Sequence, residues 1–225
     1  MKQFMFLMIL LLGSSTTIAQ ENSIQELSSF TEVKVFDGLS INLIKSDVNK
    51  AVVKGESIDK VAIVNSDGVL KIRMQLDKIF SGYRTFVDLH YSGKLVVIDV
   101  NEDARISSDG TLTQDVLELK AQEGGEIKID VEVEQLLIKT VTGGIIVTSG
   151  TSDLQDVAIN TGGIYEGKNF KTKFSTVNVN AGSRAEIYAS DYVKATVKAG
   201  GEVLVYGNPT KMDKKTVFGG TVTRM

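Results

Sequence analysis

The chain has 225 residues, 42% of them hydrophobic, with a formal net charge of −3 and no cysteine. That length supports one sizeable core or two small ones, and that composition belongs to a folded domain rather than a disordered one. The slight acidic excess argues against a nucleic-acid binder, the lack of Cys excludes a disulfide framework or thiolate metal site, and a single histidine, His90, excludes a two-histidine metal motif within one chain.

The first element is "MKQFMFLMILLLGSSTTIAQ". Lys2 precedes an apolar run from Phe4 to Leu12, and Thr17 and Ala19 stand at the −3 and −1 positions of a cleavage site before Gln20. This pattern predicts a secretory signal peptide over residues 1–19 and a mature domain over 20–225. The apolar run is too short for a membrane-spanning helix, which needs about 20 residues. No Cys follows the cleavage site, so no lipid attachment is expected there. No second apolar run follows, so no transmembrane segment is expected in the mature chain. The expected location is periplasmic, outer-surface or extracellular.

From Phe30 the text alternates between apolar and polar. "TEVKVFDGLSINLIKS" places Val33, Val35, Leu39, Ile41 and Leu43 on near-regular spacing, and "KAVVKG", "KVAIVNSDGVLKIRM", "RTFVDLHYSG" and "KLVVIDV" continue it. Apolar residues at period two, bounded by turn residues, predict short strands. Asp67-Gly68 predicts a hairpin turn. Only "SIDKV" (57–61) and "LDKIF" (76–80) have room for a turn of helix. Residues 20–100 are therefore expected to hold short strands and hairpins.

Residues 101–225 repeat. Gly124, Gly143, Gly162, Gly182, Gly200 and Gly219 are separated by 19, 19, 20, 18 and 19 residues. Three residues after each stand Ile127, Ile146, Tyr165, Ala185, Val203 and Val222. Five before stand Leu119, Ile138, Val157, Val177, Ala195 and Lys214. An earlier copy sets Asp103 in register with Gly124. A unit of this length holds two or three short strands and cannot bury its own apolar face, so the units must stack. The pattern predicts an all-β, right-handed parallel β-helix with coils of about 19 residues. Each glycine would mark a corner, and the polar "TKMDKK" would cap the last coil. An antiparallel β-sandwich remains the alternative; it fits the N-terminal hairpins but not the registered columns.

Several segments resemble the head GIN domain family, whose members are described as auto-transporter adhesins. They are "FDGLSINLIKS" (36–46), "VAIVNSDGVLKIRM" (61–74), "VDLHYSGKLVVIDVNEDARI" (87–106) and "VNVNAGSRAEIYASDYVKATVKAGGEVLVYGNP" (177–209). The family's repeated strand-Ser-Gly-small phrase is replaced here by Thr-Gly-Gly or Ala-Gly-Ser/Gly. The resemblance implies a secreted or surface-exposed β-helix-like domain, with adhesion as the family label. It brings no catalytic residues.

Chemistry-bearing patterns are few. "GGIYEGKN" (162–169) mimics a phosphate-binding loop, but Asn169 stands where a Mg²⁺-binding hydroxyl belongs and no helix follows, so a corner is expected instead. Asp99, Glu102, Asp103 and Asp109 could gather around Ca²⁺, but such a cluster is more often a solvated turn. No metal or cofactor is expected. His90 and Tyr91, adjacent in a strand, should face opposite sides. A polysaccharide lyase or glycosidase would need a carboxylate pair, for which Glu186 and Glu202 lie at different column offsets. Tyr188 and Tyr206 both stand six residues after a corner glycine, so they should occupy adjacent rungs. They are the candidate contact residues for a glycan or a cell-surface protein, or a packed pair covering the corner. The reading is an exported interaction module without catalytic activity; the alternatives are a polysaccharide-active enzyme and a purely structural envelope domain.

Overall fold

The computed structural model describes residues 22–225. The signal segment read over 1–19 and its cleavage site lie outside the described residues. The rest is a β-solenoid whose strands join one continuous sheet.

One coil explains the others. The strand β10 (Glu126–Val141) alternates inward residues along a first leg, Ile127, Ile129, Val131 and Val133. Glu134 and Gln135 interrupt the alternation, and the second leg points Leu136, Ile138 and Thr140 inward. Two successive residues turned away from the core shift the parity of the pleat, so the strand bends and both legs face one interior. The preceding β9 (Arg105–Gln122) and the following β11 (Ile145–Ile159) and β12 (Ile164–Val179) pair with their neighbours in parallel. The next two coils break at the same bend into β13 (Arg184–Tyr188) with β14 (Tyr192–Lys198), and β15 (Glu202–Tyr206) with β16 (Lys211–Val217). β17 (Thr221–Arg224) closes the stack.

The columns read from the sequence are the rungs of this ladder. Ile127, Ile146, Tyr165, Ala185 and Val203 are consecutive partners, each fully buried, and Val222 continues them. Leu119, Ile138, Val157, Val177 and Ala195 form the parallel column, which ends at Lys214. Burying each Ile or Val here is worth roughly 1.5–3 kcal/mol. The alternative of a sandwich is excluded by the parallel registers.

At the corner, the two glycines have separate tasks. Thr142 and Gly143 adopt φ of 49° and 73°, and the Gly144 N–H donates to the Val141 carbonyl at 3.1 Å, which makes a type I′ turn. Gly143 supplies the left-handed conformation. A Cβ on Gly144 would instead run into the Ala121 carbonyl of the coil below. Corners also bond to each other, as when Gly143 N–H donates to the Thr161 carbonyl at 3.1 Å. Asp103 takes the glycine's place in the earlier copy, at φ 57°.

The N-terminal third is also coiled, in an order the sequence does not display. β2 (Glu32–Val35) lies between β6 (Val69–Met74) and β8 (Val97–Val100), parallel to both. β3 (Ser40–Lys45) lies between β7 (Thr85–Tyr91) and the first leg of β9. The coil made first by the chain is thus second in the stack, beneath β8–β9 and above β6–β7. Its spatial neighbours are remote in sequence, so no fixed interval betrays them. The expected hairpin at Asp67-Gly68 joins β5 (Val61–Ser66) antiparallel to β6, and "SIDKV" and "LDKIF" each hold a short 3-10 turn. β4 (Lys50–Gly55) runs antiparallel to β7, and β1 (Ser23–Glu26) antiparallel to β4. These antiparallel strands cover the edge of the first coil.

Candidate functional site

The bend opposite the glycine corners carries a groove along the solenoid axis. Three concavities of about 200, 450 and 460 Å³ adjoin one another, sharing Lys94, Thr113 and Gln114 at one junction and Glu134 and Thr151 at the next. Tyr91 borders one end and Tyr188 the other. Thr113, Glu132, Thr151 and Lys171 are successive rung partners along it, so hydrogen-bonding side chains recur at the strand spacing of about 4.8 Å. Four lysines and four carboxylates line it, and two pairs close on each other, Lys94 with Asp115 at 2.7 Å and Lys173 with Asp153 at 2.8 Å. The groove is therefore polar but charge-balanced.

A second feature flanks it. Val116, Gln135, Leu154, Phe174 and Tyr192 are successive rung partners, one position past the groove's charged residues. Val116, Leu154 and Phe174 are 39%, 45% and 42% exposed, so this is an apolar ridge turned to solvent. Tyr192 donates to Asp213 at 2.8 Å and lies under Lys211, 5.5 Å from its ring centre. The hydrogen bond to Asp213, with burial and the same carboxylate's charge behind it, raises the Tyr192 hydroxyl above its ordinary pKa.

Tyr188 and Tyr206 are rung partners, both half-buried. Tyr188 rests against Gly207, where a Cβ would come within 2.7 Å of the ring. One face of Tyr188 is thus packed while its edge lines the groove. The sequence pointed to Tyr188 but missed Phe174, Leu154 and Tyr192. The signal was there: each stands eight residues before a corner glycine, as do Val116 and Gln135.

The remaining sequence patterns resolve into structure. In the phosphate-loop mimic, Gly162 is a corner and Gly167 leaves room for the ring of Tyr165, which any Cβ there would strike. Lys168 lies 3.6 Å from Glu186. Tyr165 is wholly buried; its hydroxyl bonds Thr148 at 2.8 Å and accepts from Gln155 at 2.6 Å, and burial pushes its pKa far up. Glu186 and Glu202 are separated by Arg184, 2.9 Å from one and 3.5 Å from the other. His90 is half-buried on the outer face, and Tyr91, 6% exposed, turns inward on the opposite side. Asp99 accepts from Asn101 at 3.1 Å and Gln122 at 3.3 Å, and Asp103 accepts from Tyr83 at 3.0 Å. Among the described residues no group of three or more carboxylate or imidazole side chains is placed to hold a metal ion, and no helix is long and apolar enough to cross a membrane.

Comparison with known proteins agrees with this geometry. The family model described as "Putative auto-transporter adhesin, head GIN domain" matches residues 29–209. No curated protein matches the sequence. The fold is similar to the crystal structure of a "putative adhesin" from Bacteroides fragilis NCTC 9343, with a TM-score of 0.83 and 16% identity over 93% of this chain and 98% of that one. It is similar to a second "putative adhesin", from Parabacteroides distasonis ATCC 8503, with a TM-score of 0.75 and 19% identity over 92% and 97% of the two chains. A third structure, named "Putative lipid binding protein", from the same Parabacteroides strain, has a TM-score of 0.68 and 14% identity over 93% and 98%.

Proposed function

The chain belongs to the head GIN domain family, and from that premise we propose that it is an exported adhesion module that binds neutral glycan chains along the bend groove without cleaving them. The observation that carries this reading is the pairing of groove and ridge. Hydroxyl, amide and charged side chains recur along the groove at coil spacing, and an apolar edge of Leu154 and Phe174 runs beside them. A pyranose chain has the complementary surface, with hydroxyl edges and apolar ring faces. Two of the groove's four lysines are held by Asp115 and Asp153, and Glu132 and Glu134 stand beside them, which favours an uncharged chain over an acidic one. Arg184 between Glu186 and Glu202 supports binding rather than hydrolysis, because it neutralises the carboxylates an acid/base pair would use. Export and placement outside the cytoplasm rest on the sequence of residues 1–19 and on the family's description.

Each ring contact contributes roughly 1 kcal/mol by analogy with aromatic pairs, so single-domain affinity is weak and adhesion relies on several sites acting together. The test is retention of the mature protein on immobilised neutral and acidic polysaccharides, with released reducing ends measured in parallel. The Phe174→Ala, Tyr188→Ala double variant should lose about thirtyfold in retention on neutral chains and keep its melting temperature within a few degrees. Retention on acidic chains only would overturn the groove assignment. Released sugar that depends on Glu186 or Glu202 would establish the enzyme reading instead.

A further inference from the structure

A separate concavity lies at the N-terminal end, formed by β5, β6 and the segment 75–84. Its volume, about 510 Å³, is within the range of small-molecule sites. Phe36, Val64, Ile79 and Phe80 form its walls. Val64, Ile79 and Phe80 remain 53%, 50% and 55% exposed, so the wall is apolar and uncovered. Beside them stand Lys71 and Arg73, alternate residues on β6 and so on one face of the strand, with Lys71 paired directly with Val64 of β5. Neither has a carboxylate within ion-pair distance among the described residues, whereas Lys34, the rung partner of Lys71, pairs with Glu32 at 3.0 Å and Asp99 at 3.7 Å.

The wall is held in place deliberately. The buried Asp37 carboxylate accepts the N–H of Met74 at 3.0 Å and of Phe80 at 3.2 Å. It thereby fixes Phe80 at φ 57°, a left-handed conformation that a bulky residue adopts only where its surroundings impose it. That conformation turns an aromatic ring to the mouth of the cleft rather than into the core. Glu102 also borders the cleft. Burial, followed by the charges of Asp37 and Glu123, pushes its carboxyl above the usual range.

We infer that this cleft binds an amphiphilic organic anion, its apolar body against Val64, Ile79 and Phe80 and its carboxylate or phosphate monoester at Lys71 and Arg73. Lys71 and Arg73, two positions apart on one face of β6, present two positive charges to one acidic head. The site is distinct in residues and chemistry from the bend groove, and it stands or falls independently of it.

Titration calorimetry with decanoate and decyl phosphate below their self-association limits tests this, with decyl maltoside and inorganic phosphate as controls. Saturable one-to-one binding of at least one of the two anions is expected, at least tenfold tighter than either control. The Lys71→Gln, Arg73→Gln double variant should lose tenfold or more. Phe80→Asn should lose affinity while keeping or raising the melting temperature, because Asn tolerates the left-handed conformation. The Phe174→Ala, Tyr188→Ala protein should bind as the wild type does. Absence of saturable binding by both anions, equal binding of decyl maltoside, or unaltered binding by the double lysine-arginine variant overturns the proposal. Equal loss in the groove variant overturns its assignment to this cleft.

Discussion

The coils from β9 onward and the coils before it obey the same rung chemistry but differ in how the chain visits them. In the later part each coil stacks on the one just made, as Ile138 does on Leu119 and Val157 on Ile138. In the earlier part β2 and β3 wait for partners more than thirty positions away: Val33 sits between Leu70 and Ile98, and Ile41 between Val87 and Ile106. The first arrangement can grow one coil at a time. The second requires closing long loops before any reward from contact, the situation that slows folding. The difference teaches that a solenoid's interior is set by column chemistry, while its assembly is set by chain order.

The strongest way to sharpen this contrast is to remove side chains from the threaded coil and from the last rung of the same column. Ile41, 2% exposed, is packed between coils above and below. Ile41→Ala should cost about 4 kcal/mol. Val222, in the last rung and partly exposed, should cost about 1 kcal/mol when changed to Ala. Denaturant unfolding measures both; equal costs would mean that the threaded coil is no better packed than the terminal one.

The corner offers a second comparison. Gly144 has no room for a Cβ because of the Ala121 carbonyl, yet Ala104 occupies the equivalent place beside β9. Gly144→Ala should therefore cost about 3 kcal/mol through forced separation of coils, lowering the melting temperature by roughly 6–12 °C. Ala104→Gly should change it by only a few degrees. A tolerated Gly144→Ala would show that corners flex enough to make the second glycine dispensable.

The smallest effect is electrostatic and confined to the earlier part. Glu102 has its carboxyl pushed up by burial, then by Asp37 and Glu123. A raised folded-state pKa means that its contribution is fully present below the ordinary Glu range and is lost as pH rises through the raised value. Glu102→Gln should thus raise the melting temperature by about 2 °C at pH 7 and leave it unchanged near pH 4. Glu118, in the regular stack, shows the opposite balance: burial would raise its carboxyl, but hydrogen bonds from Lys139 and Lys120 outweigh it and hold it low. A Glu102→Gln protein less stable at pH 7 than at pH 4, relative to wild type, would contradict the assignment.

Much of this architecture is legible in the sequence. The 19-residue interval identified the corners at Gly124 through Gly219, and offsets from them identified both inward columns. That success came from a spatial repeat that is also a sequence repeat. The threaded coil escaped because its partners have no constant spacing. The outward ridge of Leu154 and Phe174 was legible at its offset, but an apolar column does not announce which side of a strand it faces until the bend shifts the parity. The amphiphile cleft was beyond reach: Lys71 and Arg73 read as ordinary strand-surface charges, and nothing in "LDKIF" says that Asp37, more than forty residues earlier, will seize the Phe80 amide.

The threaded coil also has a mechanical meaning. A pull on the C-terminal end loads the rung hydrogen bonds of one coil at a time, and each released coil, of about 19 residues, adds roughly 65 Å of slack. Peeling in this way dissipates work in small, repeatable steps. It meets a stop at β7, the strand that precedes β8 along the chain, because β7 is held on one side by β3 and on the other by β4. To pass that point, two interfaces must fail together. The later coils therefore act as an extensible tether and the earlier ones as its anchor block, so a domain under shear would lengthen before it let go.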